Sequence, residues 1–193
     1  MKAKGEAELE RLQQLGVIEP IEFLDWAAPI VPVLKDDGEV RICGDYKLTA
    51  NHASQLDTYP LPRVEDLFAT LAGGKTFMKL NMSHAYQQLL LDEESKHYIT
   101  INTHKGLFEY NLLVFGVASS PAIFQRTMDN LLQNIPHVAV YLDDLLVTGK
   151  TKEEHLSNLG QVLKRIAEAG LRLKRSKCAT GFRLRVCPRW KRR

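Results

Sequence analysis

The chain has 193 residues, of which 45% are hydrophobic and 25% are charged, as in ordinary globular proteins. This length suits one domain with a buried core, or a compact pair of lobes. The net charge is +3, but the last twelve residues hold six basic side chains and no acidic one. Without those six, 20 basic residues face 23 acidic ones, a net of −3. The body therefore has no global positive field, and binding to nucleic acid would need a local basic patch.

Cysteine spacing and hydropathy indicate the cellular compartment in which the protein is expected. Cys43, Cys178 and Cys187 are scattered without CxxC or CxxH spacing, which favours a reducing compartment over a disulfide framework or a zinc site. The first 30 residues are charged and lack the apolar core of a signal peptide, and no apolar run is long enough to span a bilayer. We therefore expect a cytoplasmic or nuclear protein with no membrane partner.

The first half of the chain mixes helical and strand patterns. Apolar spacing, glycines and prolines predict a helix at 6–15, a strand hairpin at 30–34 and 40–42, a helix at 64–71, a strand at 77–80, a helix or helical turn at 83–90 and a second hairpin at 98–101 and 107–113.

The second half predicts two long amphipathic helices around a short hairpin. The first helix begins at Pro121, and its expected buried residues are Phe124, Met128, Leu131 and Ile135. Thr151 and Glu154 form a capping box for the second helix, which ends at Gly170 and is expected to bury Leu156, Leu159, Leu163 and Ile166. A strand is predicted at 171–173. This order of elements predicts an α+β domain, an antiparallel sheet with helices packed on one face.

Two adjacent aspartates, Asp143 and Asp144, interrupt the apolar stretch at 137–148. The flanking runs predict two short strands, and the aspartates fall at the turn between them. Adjacent carboxylates in such surroundings repel each other and lose solvation, and a divalent cation removes that penalty. The pattern indicates a metal-dependent phosphoryl or nucleotidyl transfer site. An Asp-Asp turn in open solvent, which needs no metal, is the alternative.

Nucleotidyl transfer by two metal ions needs carboxylates from separate segments of the chain. A third carboxylate is therefore expected at the end of a neighbouring strand, and the strand at 77–80 is the natural candidate. The residue that follows it is Asn81. An amide oxygen can coordinate a hard cation, but it carries no formal charge.

Five blocks of sequence resemble the polymerase domain of gypsy-type LTR retrotransposons, over about residues 8–177. Tyr141-Leu142-Asp143-Asp144 resembles the YxDD box of reverse transcriptases. The other blocks are VPVLKDDGEVRICGDY at 31–46, LDTYPLPR at 56–63, SHAYQQ at 83–88 and FGVASSPAIFQ at 115–125. The resemblance implies a right-hand polymerase fold with fingers and palm. It further implies an RNA-directed DNA polymerase that uses Mg²⁺ or Mn²⁺, dNTPs, a DNA primer and an RNA or DNA template.

The resemblance also implies which residues meet the incoming nucleotide. Lys35 and Arg41 would reach its triphosphate, as a point charge and a planar fork. Tyr86 would lie under the sugar and exclude a 2′-hydroxyl by its bulk, and Phe115 opens a block that would pack near the nucleotide and template. The alternatives are a solvated hairpin face for the two basic residues and a core position for Tyr86. Tyr86 and the gypsy-like blocks weigh against a viral RNA-dependent enzyme.

The chain departs from the family pattern at the metal site. Asp143 would be a metal ligand and Asp144 the accompanying carboxylate, also at the metal. The family pattern Leu-Asp-Leu-Ser-His-Ala-Tyr is changed here, because Asn81 stands in place of the first aspartate. The catalytic set would then carry one negative charge fewer, and we expect a copy with weak or no activity. A non-catalytic relic that binds nucleic acid weakly is therefore the alternative function.

A second departure follows Cys178. The family continues with a strand pair that supports the primer and then a thumb, whereas residues 179–193 form a basic segment of different composition. We expect residues 1–178 to be a truncated fingers and palm domain, without a thumb. Residues 179–193 are interpreted as a non-native or disordered tail, from out-of-frame or read-through sequence. The thumb, RNase H and integrase segments of an intact element are not recognisable here.

Overall fold

The computed structural model describes residues 2–34, 38–53 and 57–182, and the chain divides into two compact units. Unit 1 contains residues 1–58 and 86–121, and unit 2 contains residues 59–85 and 122–193. Predictions for residues 35–37, 54–56 and 183–193 lie outside the described residues.

The strands in the described part of the chain are β1 (Ile18–Ile21), β2 (Ala28–Leu34), β3 (Val40–Gly44), β4 (Thr76–Asn81), β5 (Thr100–Thr103), β6 (Gly106–Tyr110), β7 (Val138–Tyr141), β8 (Asp144–Gly149) and β9 (Ala179–Phe182). The helices are α1 (Lys2–Gln14), α2 (Ala50–Ala53), α3 (Val64–Thr70), α4 (Glu93–Tyr98), α5 (Ser120–Leu132) and α6 (Lys152–Glu168), with short 3-10 turns at Ala85–Gln88 and Arg175–Lys177. None of these described helices is long and apolar enough to cross a bilayer.

Unit 1 is built on a five-stranded sheet with the order β1-β6-β5-β2-β3. All its pairings are antiparallel except the one between β2 and β5. Leu9 and Leu12 lie on one face of α1 and are buried in the core of this unit, together with Ile101 of β5. Burial of this apolar face accounts for the helix, because its remaining residues are largely charged.

Unit 2 contains a four-stranded antiparallel sheet with the order β7-β8-β4-β9. β8 lies between β7 and β4, and its side chains Leu145 and Val147 are fully buried. α3 contacts β7, and α6 contacts β8 and β4. The predicted N-cap of α6 is confirmed, since the Thr151 side chain accepts a hydrogen bond from the backbone nitrogen of Glu154, whereas the Glu154 side chain accepts from the backbone nitrogen of Lys150. The sheet brings the ends of β4, β7 and β8 together.

The predicted α+β class with mostly antiparallel strands is confirmed, and the helical turn predicted within 83–90 is present as a short 3-10 turn at Ala85–Gln88. Two other local predictions are wrong. Tyr98 ends the helix α4 instead of beginning a strand, because Asp92 caps that helix by accepting from the Ser95 backbone nitrogen. Residues 171–173 make only an isolated bridge, between Leu173 and Met82. The capping hydrogen bond of Asp92 thus outweighed the apolar pattern that predicted a strand from Tyr98.

The buried face of α6 also differs from the prediction. Leu156 and Leu163 are 54% and 40% exposed, whereas the buried residues are His155, Asn158, Val162 and Ile166. Asn158 is polar, yet it is buried because its side-chain nitrogen donates to the Thr148 carbonyl oxygen of β8 at 2.9 Å. A hydrogen-bonded amide is therefore part of the buried face of α6, where apolar spacing alone predicts leucines.

The segment that follows Cys178 begins with a strand. β9 pairs with β4 in antiparallel register, with Ala179 opposite Lys79 and Thr180 opposite Met78. The boundary that composition placed at residue 178 thus precedes the last strand of the unit 2 sheet. The remainder of the basic segment lies outside the described residues.

Gly149 ends β8 where the chain approaches the start of α6. A Cβ added there would meet the backbone nitrogen of His155 and lie 2.8 Å from its Cα. We expect Gly149→Ala to lower the free energy of unfolding by about 1–3 kcal/mol, because backbone atoms cannot move aside easily.

Gly160→Ala on the exposed face of α6 is the matched control. A Cβ there meets nothing within 4 Å, and the helix should gain about 0.5–1 kcal/mol. Urea unfolding of the three proteins measures both changes. Equal midpoints for the two variants would contradict the close packing of β8 against α6.

Candidate active site

The two aspartates lie at a tight hairpin of unit 2. β7 ends at Tyr141, β8 begins at Asp144, and these two residues are opposite each other in the ladder. Leu142 and Asp143 form the loop, and Leu142 has a positive φ of 54°. This left-handed conformation costs a residue with a side chain about 1–2 kcal/mol, so the surroundings must stabilise the turn. Asp143 is exposed, whereas Asp144 is buried.

Asn81 lies beside both aspartates. It is the last residue of β4, and it is opposite Asp144 in the ladder between β4 and β8. The side-chain nitrogen Nδ2 of Asn81 donates to Asp144 Oδ1 at 2.9 Å and is 3.2 Å from Asp143 Oδ2. The structure therefore brings together the three positions that the sequence assigned to catalysis. Donated hydrogens, instead of a third carboxylate, face the aspartate pair.

Lys79 completes this cluster, although it was not among the predicted site residues. Its Nζ lies 2.7 Å from Asp144 Oδ2, so each carboxylate oxygen of Asp144 has a donor from β4. The sequence does contain a signal for this contact, because residues two apart on a strand share a face and Lys79 precedes Asn81 by two. The Asp144 carboxylate is thus compensated by the chain itself.

The donor set fits one hard divalent cation better than two. The carboxylates of Asp143 and Asp144 converge on a single atom of Asn81, and Mg²⁺ commonly takes one or two carboxylates together with substrate phosphates. Asn81 would have to turn its amide to offer an oxygen in place of its hydrogens. In the part of the chain that the structure describes, no three His, Cys, Asp or Glu side chains form a metal-binding group.

A second cluster, in unit 1, contains three of the predicted nucleotide-binding residues. The guanidinium carbon of Arg41 lies 4.8 Å from the centre of the Phe115 ring, in cation–π geometry. The Tyr86 ring is 4.6 Å from the same ring at an angle of 45°. Phe115 therefore contacts the guanidinium of Arg41 and also packs against the largely buried Tyr86. Lys35, the fourth residue, lies outside the described residues.

Comparison with known sequences points to one family. The family model described as reverse transcriptase (RNA-dependent DNA polymerase) matches residues 33–186. The chain is 41% identical to the uncharacterized protein K02A2.6 of Caenorhabditis elegans over 176 residues, which cover 90% of this chain and 14% of that protein. It is 31% identical to the transposon Tf2-3 polyprotein of Schizosaccharomyces pombe over 165 residues, 84% of this chain and 12% of the polyprotein. The chain thus spans a small part of the length of these relatives.

Solved structures agree with the sequence comparison. The crystal structure of the prototype foamy virus protease-reverse transcriptase CSH mutant matches with a TM-score of 0.83 and 25% identity, over 93% of this chain and 24% of that chain. The foamy viral protease-reverse transcriptase in complex with an RNA/DNA hybrid matches with a TM-score of 0.82 and 27% identity, over the same shares. The predicted fingers and palm fold is confirmed by these likenesses.

Asn81→Asp tests the donor role of Asn81 without any assay of activity. The change removes the donated hydrogens and adds a negative charge beside two others. We expect the free energy of unfolding in EDTA to fall by about 1–3 kcal/mol, because a buried acceptor loses its donor and like charges meet. Added Mg²⁺ should restore most of this loss.

Asn130→Asp, at an exposed position of α5, is the control for an added charge. Thermal unfolding of each protein, with EDTA and with Mg²⁺, gives the comparison. Mg²⁺ should hardly change the Tm of the unaltered chain or of the control. If Mg²⁺ leaves the Tm of Asn81→Asp unchanged, residues 81, 143 and 144 do not share a cation.

Proposed function

Because the chain belongs to the reverse transcriptase (RNA-dependent DNA polymerase) family, we propose that it is the polymerase domain of a gypsy-type LTR retrotransposon. The observation that carries the proposal is the convergence of Asp143, Asp144 and Asn81 at the ends of three strands. The reaction would join the 3′-oxygen of a DNA primer to the α-phosphorus of a dNTP and release pyrophosphate. Asp143 and Asp144 would hold Mg²⁺ or Mn²⁺, whose charge would stabilise the negative charge that develops around the reacting phosphorus. In the two-metal form of this chemistry, the residue at position 81 would have to supply the further ligand that a second ion needs.

The residues of unit 1 would bind and select the nucleotide. Arg41 offers the planar edge of its guanidinium to phosphate oxygens, and its contact with Phe115 reduces the freedom that binding would otherwise remove. Lys35 would add a point charge on the same triphosphate. Tyr86 would exclude a 2′-hydroxyl by its bulk, and its packing against Phe115 supports a fixed ring position.

The template and primer are the proposed macromolecular partners. The solved foamy viral relatives include complexes with double-stranded DNA and with an RNA/DNA hybrid, which supports an RNA or DNA template with a DNA primer for this chain. In the intact element, thumb, RNase H and integrase segments would supply further contacts and activities. A cytoplasmic or nuclear location stays a prediction.

A second candidate function is a non-catalytic relic that binds nucleic acid weakly. The hydrogen bonds from Asn81 and the ion pair with Lys79 favour it, because they satisfy the carboxylates without a cation. A catalytic site needs those oxygens for metal ions, and each donor of the chain competes with the ions for them. The two candidates differ in whether restoring the third carboxylate restores catalysis.

Primer extension on an RNA template distinguishes these candidates. We expect Asn81→Asp to extend a DNA primer faster than the unaltered chain by about two to four orders of magnitude, if the missing charge weakens transition-state stabilisation by about 3–5 kcal/mol. Asn130→Asp should extend no faster than the unaltered chain. Equal rates for the unaltered chain and for the Asn81→Asp variant would contradict the role given to this position.

Sugar selection tests the role given to Tyr86. In the Asn81→Asp background, Tyr86→Ala should raise the kcat/KM for a ribonucleotide relative to the matching deoxynucleotide by about tenfold or more, because the bulk beside the 2′-carbon is removed. Tyr98→Ala removes an exposed tyrosine of the same unit and is the control. A ratio that changes equally in both variants would exclude Tyr86 as the selecting residue.

A further inference from the structure

Gln125 is a fully buried polar side chain in the middle of α5. Its Oε1 accepts a hydrogen bond from the backbone nitrogen of Leu142 at 2.9 Å. Its Nε2 donates to the Val140 carbonyl oxygen and to Asp129 Oδ1, both at 3.0 Å. Each polar atom of the amide has a partner, and the partners fix which end is oxygen and which is nitrogen. Such a buried, fully bonded amide stabilises one arrangement of the groups around it.

The two backbone partners of Gln125 lie at the start of the turn that carries the aspartates. Val140 is in β7 just before the turn, and Leu142 is the residue whose φ is positive. A leucine holds this conformation only where its surroundings determine it, and the bond to its backbone nitrogen is a direct restraint of that kind. Asp143 follows immediately, so the direction of its carboxylate depends on this restraint.

Asp129 extends the restraint beyond α5. It lies four residues after Gln125 on the same helix face, which is the spacing for a Gln–Asp pair. Its second oxygen accepts a hydrogen bond from the Tyr59 hydroxyl at 2.8 Å. This bond, followed by slight burial, raises the pKa of Tyr59 above its ordinary value. Asp129 therefore accepts from both Gln125 Nε2 and the Tyr59 hydroxyl, and Tyr59 restrains the carboxylate that orients the Gln125 amide.

We propose that Gln125 is a positioning residue for the aspartate turn, acting through the backbone of Leu142 and supported by Asp129 and Tyr59. Its importance for catalysis rests on the proposed function, whereas its hold on the turn does not. The side chain of Gln125 is directed at the backbone and at Asp129, so it acts on the reaction through Asp143 and Asp144. Removing its amide loosens the turn and leaves the strands on either side in register.

Native-state hydrogen exchange, measured by NMR on the full chain, tests the hold on the turn. Gln125→Leu should raise the exchange rate of the Leu142 amide, relative to that of the Val147 amide in the centre of β8, by about threefold to tenfold. Met128→Ala empties a fully buried position of the same helix and should leave this ratio unchanged. An unchanged ratio in Gln125→Leu, or an equal rise in Met128→Ala, would overturn the proposal.

Gln125→Glu covers the case in which the leucine variant does not fold. An ionised glutamate keeps an acceptor for Leu142, but its other oxygen faces the carbonyl of Val140 and the carboxylate of Asp129. The exchange ratio should therefore rise at neutral pH and fall again at acid pH, where the new side chain carries a proton to donate. Asp129, Tyr59, Asp143 and Asp144 are the other titrating groups near this chain of bonds. A ratio that does not respond to pH would overturn the proposal.

Steady-state primer extension in the Asn81→Asp background gives the functional readout. Adding Gln125→Leu should lower kcat by about tenfold or more and leave the KM for dNTP nearly unchanged, because orientation is lost and nucleotide contacts are kept. A raised KM with unchanged kcat would contradict a positioning role. If Asn81→Asp itself extends no primer, the proposed function fails, and the exchange ratio alone decides the role of Gln125.

Discussion

Two carboxylates on one hairpin, Asp143 and Asp144, need hydrogen-bond donors or cations close by. In unit 2, strand β4 supplies these donors. The ladder between β4 and β8 puts Asn81 opposite Asp144, and the alternation of side chains along β4 puts Lys79 on the same face. Both residues donate to the pair from one strand. Where the family pattern has an aspartate, this chain therefore presents the amide of Asn81 to the aspartate pair, and Lys79 adds an ammonium group beside it.

The turn itself depends on a second layer of interactions. Leu142 adopts a conformation that its side chain disfavours, and the buried amide of Gln125 accepts from its backbone nitrogen. The residues proposed to bind the nucleotide are held by aromatic contacts instead, since Phe115 contacts both Arg41 and Tyr86. In both clusters, residues that would never touch the reacting atoms determine where the functional groups lie. This is the common way in which a scaffold fixes a site.

Sequence patterns predicted the aspartate hairpin and its neighbour Asn81 because tight turns and strand ends leave short-range signals. They failed at α6, where Asn158 is buried through one hydrogen bond and two leucines are exposed. They also gave no role to Gln125 or Lys79, because both act through partners that are distant in the chain. Contacts of that kind depend on the pairing of strands and helices, which periodicity does not specify.

Asn81 satisfies the aspartate pair in place of a cation. Calorimetric titration of Mg²⁺ into the unaltered chain and into Asn81→Asp, each with a dNTP present, tests it most directly. We expect saturable binding to Asn81→Asp that is tighter than binding to the unaltered chain by about tenfold or more, because each added carboxylate strengthens a hard-cation site. Equal affinities in the two proteins would contradict it.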